Sequence, residues 1–156
     1  MKSKYFFIIL LLIFLIFLQH ACFKKDTSNI SNIIVSIASK QIGKPYAVGG
    51  KGPDRFDCSG FVYFCYKQAG YNIPSTTKKL KKIGKKVCGK LKFSKLKKGD
   101  LLFFKIGKIF GSPNHVGIYA GNKTMIHASP TKGVVKVYLD TKYWKKHFKY
   151  ARRIID

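Results

Sequence analysis

Past residue 98 the chain stops reading as helix and becomes a succession of short apolar runs divided by turn residues. That change of period restricts the fold more than any other feature. Residues 101–106 form an apolar run suited to a buried strand. Residues 115–120, 124–129 and 134–139 follow as consecutive strands, separated by Gly121-Asn122 and by residues 130–133. Residues 148–155 read as a final strand, while 141–147 are ambiguous. Before this region the period is helical. Ile30, Ile33, Ile34, Ile37, Ala38 and Ile42 recur at spacings of three and four, and Gly43 and Pro45 close the pattern. A second helix, capped by Asp57, runs to about Ala69, stops at Gly70 and turns Phe61, Phe64, Cys65 and Gln68 or Ala69 inward. Residues 75–83 suggest a short basic helix ended by Gly84, and residues 87–93 show no clear pattern. Helices followed by a run of adjacent strands imply an α+β domain, N-terminal helices packed on an antiparallel sheet.

The first residues do not belong to that domain. Lys2 and Lys4 precede an unbroken apolar run over residues 5–18, a basic start and a length that fit a secretory leader rather than a membrane span. The run closes on Gln19-His20-Ala21-Cys22, which resembles a bacterial lipoprotein signal with Cys22 as the lipidated first residue. Ordinary cleavage and an uncleaved anchor are the alternatives. The expected organisation is a leader over 1–21, a lipidated tether over 22–29 and one domain over 30–156. An exported, membrane-anchored protein of the cell envelope is the corresponding location. Without the leader's two lysines the formal charge is +23, and all six acidic residues are Asp. Such a surplus attracts polyanions, and anionic envelope polymers are the expected partners. No recognition helix, zinc finger or aromatic RNA-binding signature accompanies the lysines, which argues against nucleic acid.

Chemistry concentrates at Asp57-Cys58-Ser59-Gly60-Phe61, where a thiol sits at the start of a helix. Unpaired amides there, and an imidazole nearby, favour the thiolate that makes cysteine a nucleophile. Three cysteines follow Cys22, an odd count that leaves a free thiol if Cys65 and Cys88 pair; Cys65 also suits a small buried hydrophobe. Two distant histidines, His115 and His127, complete a candidate set. Residue 121 is their midpoint, so a tight turn at Gly121 is expected to set them directly opposite each other on neighbouring strands, on one face with Gly117, Tyr119 and Met125. One ring then takes the thiol proton and the other orients it. A three-ligand zinc site is the rival reading of the same residues, although zinc sites usually offer a close local pair of ligands. Asp100 reads as a turn or strand-start residue.

With these motifs in order, the chain resembles the NlpC-type cysteine peptidases, bacterial wall hydrolases with a compact papain-like core. The resemblance rests on Lys44-Pro45-Tyr46 with Gly49-Gly50, on Asp57-Cys58-Ser59-Gly60-Phe61-Val62, and on Lys98-Gly99-Asp100-Leu101-Leu102-Phe103-Phe104. His115-Val116-Gly117-Ile118-Tyr119, Ile126-His127-Ala128-Ser129 and Ala151-Arg152-Arg153 extend it over nearly the whole domain. It implies that Cys58 is the nucleophile, His115 the general base and later acid, and His127 the residue orienting that ring. It places Tyr46 near the oxyanion and makes Asp57 and Ser59 residues that shape substrate recognition. It further implies no metal or cofactor, a monomer, and a peptidoglycan stem peptide cut between γ-D-glutamate and a diamino acid. A non-catalytic envelope-binding protein, or an amidase or acyltransferase acting on another envelope substrate, remains the alternative on the same scaffold.

Overall fold

The computed structural model describes residues 27–107 and 111–155. The expected leader and the Cys22 anchor lie outside them, as does most of the tether. Helix α1 (Thr27–Ser39) starts inside the stretch expected as tether and buries Ile34 and Ala38 completely. Ile33 and Ile42, which the spacing put on the inner face, are 43% and 45% exposed. Helix α2 (Cys58–Gln68) is capped as expected: the Asp57 carboxylate accepts from the Gly60 amide at 2.6 Å, and Gly70 follows with φ +85°. Val62 and Tyr66 are buried as well as Phe61 and Cys65, because α2 lies between α1 and the sheet and is covered on two sides. The basic helix shrinks to α3 (Thr77–Leu80). Gly84 then turns the chain at φ +70°, where a Cβ would meet the Arg153 carbonyl oxygen at 2.3 Å. Of the unpatterned residues 87–93, the first two complete edge strand β1 (Lys85–Cys88). The ambiguous one becomes helix α4 (Lys142–His147), whose Trp144 amide donates to Thr141 Oγ1.

The strands β1, β2 (Leu101–Phe104), β3 (His115–Gly121), β4 (Thr124–Ser129), β5 (Gly133–Tyr138) and β6 (Phe148–Arg153) form one six-stranded sheet in the order β1-β6-β2-β3-β4-β5. Every neighbouring pair is antiparallel. Alternation in the central strands splits the core in two. Phe103, Val116, Ile118 and Ile126 face α1 and α2, while Leu102, Phe104, Tyr119 and Met125 pack with Phe148, Leu139 and Trp144 on the opposite face. Each such side chain taken from water contributes about 1.5–3 kcal/mol. Cys65 belongs to the first layer and Cys88 to the second, so the sheet stands between them and both thiols are free.

One buried ion pair ties the start of β2 to the end of β6. Asp100, 1% exposed, receives Arg153 Nε and Nη2 at 2.8 Å each and the Lys97 amide at 2.8 Å. Its carboxylate is consumed by structure, as a strand-start residue should be. No helix among the described residues is long and apolar enough to cross a membrane.

Candidate active site

Three local features bring Cys58, His115 and His127 to one place. The first is the hydrogen-bonded approach to α2. Ala47 donates to the Phe56 carbonyl at 3.0 Å and Phe56 to the Pro45 carbonyl at 3.1 Å, so Tyr46 runs beside the entry to the helix. The Asp57 amide donates to the Gly50 carbonyl at 2.8 Å, and Asp57 Oδ2 accepts from the Gly49 amide at 3.0 Å. Gly60 permits this closeness, since a Cβ there would stand 1.9 Å from the Gly50 oxygen. The sequence signal for this contact is a glycine in the first turn of a helix, where it costs stability.

The second feature is the β3–β4 hairpin, and here the expected register is corrected. The two turn residues are Asn122 and Lys123, both left-handed with φ of 48° and 57°, as a type I′ turn requires. A bulge between Tyr119 and Gly121 adds a further shift. Pairing therefore runs Ile118↔Ile126 and Tyr119↔Met125, and its continuation sets Gly117, not His115, across from His127. The histidines are diagonal neighbours on the shared face. Gly117 leaves the space they need: a Cβ there would lie 3.0 Å from His127 Cβ and 2.5 Å from Met125 Sδ. Across that gap His115 Nε2 and His127 Nδ1 meet at 2.8 Å, with ring planes at 89°.

The third feature is the wall supplied by α4. The Trp144 ring meets His127 edge-on with centroids 5.2 Å apart, and Phe104 packs against both Trp144 and His115. The α4 segment was left without a role by its sequence, because six residues carry too little periodicity to show a face.

Together these elements enclose a cavity of about 660 Å³ lined by Tyr46, Cys58, His115, His127 and Trp144, among others. Asp57 and Ser59 are not among its lining residues: the Ser59 hydroxyl donates to Asp57 Oδ1 at 2.9 Å, behind the thiol. Burial raises the Cys58 thiol pKa, and Asp57 raises it further. Thr77, the Val116 backbone and the Ser59 backbone oppose that shift without cancelling it. Cys58 Sγ lies 3.8 Å from Thr77 Oγ1. Desolvation thus outweighs the helix start and holds the thiol above its ordinary range. Burial also lowers both imidazoles, His127 to about 4 and His115 to about 3, with His127 contributing to the His115 shift. Both rings are neutral at pH 7. Burial first, then Cys58 and Asp57, raises the Tyr46 phenol and keeps it a donor.

The zinc reading finds no support in this arrangement. Among the described residues no three His, Cys, Asp or Glu side chains are disposed to hold a metal, and the two facing imidazole nitrogens are spaced for a hydrogen bond.

This geometry has close parallels. The NlpC/P60 family pattern matches residues 43–153. The chain belongs to the NlpC/P60 family. It is 38% identical over 115 residues to the murein DD-endopeptidase MepS/murein LD-carboxypeptidase of Escherichia coli K12, covering 73% of this chain and 57% of that one. It is 37% identical over 132 residues to the gamma-DL-glutamyl hydrolase of Bacillus subtilis strain 168, covering 83% of this chain and 30% of that one. The chain therefore spans less than two thirds of either relative. A crystal structure of an NlpC/P60 family protein from Bacillus cereus superposes with a TM-score of 0.72 at 31% identity, covering 81% of this chain and 40% of that one. The NlpC/P60 fold is the α+β papain-like architecture expected, helices on an antiparallel sheet.

Proposed function

We propose that this NlpC/P60 domain is a cysteine peptidase that hydrolyses an amide bond in peptidoglycan stem peptides, between γ-D-glutamate and a diamino acid. The observation that carries the reading is the single cavity shared by the Cys58 thiol, the bonded His115–His127 pair and Tyr46. The relatives named for murein and for gamma-DL-glutamyl bonds support the substrate class, and the leader-like segment supports work in the envelope.

The proton inventory follows from the geometry. His115 Nε2 is engaged with His127, so Nδ1 is the nitrogen left to receive the thiol proton. Nδ1 must then be bare, Nε2 carries hydrogen and donates to His127 Nδ1, and His127 keeps its own proton on Nε2. Thiol and imidazole both start neutral, because burial penalises a free thiolate and a free imidazolium alike. Proton transfer accompanies sulfur attack on the carbonyl carbon. The oxyanion takes hydrogen bonds from the Tyr46 hydroxyl and the Cys58 amide, one of the helix-start donors with no intrahelical partner. A His115 proton held against its own low pKa passes readily to the departing amine. Water, with His115 again as base, then cleaves the thioester. Asp57 and Ser59 serve by holding the Tyr46 loop against the helix.

Cys58→Ala tests the reading on defined muropeptides. The variant is expected to keep its melting temperature and lose turnover; hydrolysis at an undiminished rate removes Cys58 from the mechanism. Iodoacetamide labelling of Cys58 should accelerate only above neutral pH. An inflection near pH 4 would mean that a thiolate–imidazolium pair already exists at rest.

A further inference from the structure

One basic side chain stands on the cavity wall. Among the residues lining it, Lys132 is the sole lysine or arginine, and no aspartate or glutamate is present. Lys132 sits on the turn between β4 and β5, and that turn is fixed rather than loose. The Val134 amide donates to the Lys44 carbonyl at 2.8 Å, and the Gly43 amide to the Val134 carbonyl at 2.9 Å. Gly133, at φ +68°, lets the two backbones touch: a Cβ there would lie 2.3 Å from the Lys44 oxygen. Ser129 Oγ and Thr131 Oγ1 stand 3.3 Å apart across the same turn. The turn is thus docked on the segment that leads into Tyr46, and Lys132 springs from a fixed backbone on the cavity that Cys58 also lines.

No ion pair among the described residues involves Lys132. Among the described residues the ion pairs join Lys123 and Lys145 to Asp140 and Arg153 to Asp100. Asp57, the acid beside the thiol, is committed to the Gly49 and Gly60 amides and the Ser59 hydroxyl. The wall formed by Val135, Val137 and Trp144 is apolar, so the cavity is polarised, cationic at one rim and greasy at another. A ligand suited to it carries a negative charge toward the Lys132 turn and an aliphatic portion toward Trp144.

We propose that Lys132 selects substrates with a free carboxylate beside the scissile amide, in preference to those in which that carboxylate is amidated. The assignment rests on the γ-glutamyl reading above. In such a bond the attacked carbonyl and an α-carboxylate belong to the same glutamyl residue, so the charge travels with the reacting group. Conversion to the carboxamide keeps the shape and removes the charge. Lys132 is exposed and its attraction is screened by solvent, which limits the expected discrimination to about two- to fivefold.

The test measures kcat/KM of the full chain on two muropeptides that differ only in a free or amidated D-glutamyl α-carboxylate. Wild type is expected to favour the free acid about two- to fivefold, chiefly through KM, with the preference shrinking in 0.5 M salt. Lys132→Gln should cut both at equal efficiency, Lys132→Arg should retain the preference and Lys132→Glu should invert it. Cleavage of both by wild type without discrimination, or a preference that persists in Lys132→Gln, overturns the role of Lys132 and leaves the peptidase reading standing. Failure of wild type to cut either substrate overturns the γ-glutamyl reading and this proposal with it.

Discussion

Replacing Gly60 with alanine sets two effects of opposite sign against each other. Alanine is the better helix former, and propensity alone predicts a gain of about 1 kcal/mol at a helical glycine. The structure predicts a loss. The new Cβ would lie 1.9 Å from the Gly50 oxygen, 2.9 Å from its carbonyl carbon and 3.0 Å from Lys51 Cα, all of them backbone atoms that cannot rotate away. Restoring an ordinary carbon–oxygen contact demands a shift of roughly 1.5 Å. That shift breaks the 2.8 Å bond from the Asp57 amide to the Gly50 carbonyl. Overpacking costs about 1–3 kcal/mol, and the lost hydrogen bond adds about 1 kcal/mol. After the propensity gain, a net destabilisation of about 2 kcal/mol remains. Urea denaturation at pH 7.5 measures it as a lower midpoint with an unchanged slope. Because Tyr46 rides on the displaced loop, kcat should fall more than stability alone explains. A midpoint equal to or above that of wild type would show that the loop does not press on the helix, and the account of how Tyr46 is placed would fail.

Asp100→Ala strips Arg153 of its buried carboxylate and the Lys97 amide of its acceptor, and should cost about 3–5 kcal/mol. Pairing Asp100→Leu with Arg153→Met should restore most of that loss, and a double-mutant cycle showing no coupling would contradict the buried-pair reading. The histidines predict acid sensitivity. Both are depressed in the folded protein, to about 3 and about 4, while unfolded histidine titrates near 6.5. Below that value the unfolded chain binds more protons, so stability is complete above about pH 7 and drains as pH falls toward 4. From pH 7 to 5.5 the two sites together should cost about 2 kcal/mol, measured by urea titration at each pH. A His115→Gln, His127→Gln double variant that keeps the full wild-type acid slope would assign that slope to other groups.

Strands were more legible than helices in this chain, and the reason is burial. β2, β3 and β4 are covered on both faces or nearly so, and their continuous apolar runs stand out against the turns between them. Elements that bury little left a weak pattern or none. β1 exposes Lys85 and Lys86 at the sheet edge, and α3 and α4 hold only four and six residues. Ile33 and Ile42 misled in the other direction, because spacing identifies a stripe of apolar residues and not how wide a stripe the neighbours will cover.

At the site, the sequence offered Cys58, His115 and His127 as candidates that share one cavity, but their geometry was not readable. The meeting of His115 with His127 depends on turn type, and Lys123 disguises a type I′ turn that Asn-Gly would have announced. The one-residue bulge then moves the pairing without exchanging faces, because turn and bulge together shift the register by an even number. This is why a wrong register still put the two histidines on one face, within contact. A diagonal pair of rings needs an empty place between them, and Gly117 is that place. Filling it presses on the Cβ of His127 and on the flexible Met125, whose thioether can yield where the imidazole cannot without losing its 2.8 Å bond. The dyad is therefore specified by a missing side chain as much as by the two that react. The upward shift of the thiol was equally hidden, since the helix start favours a thiolate through local geometry while desolvation acts through the whole cavity wall, and only the assembled fold sets their relative size.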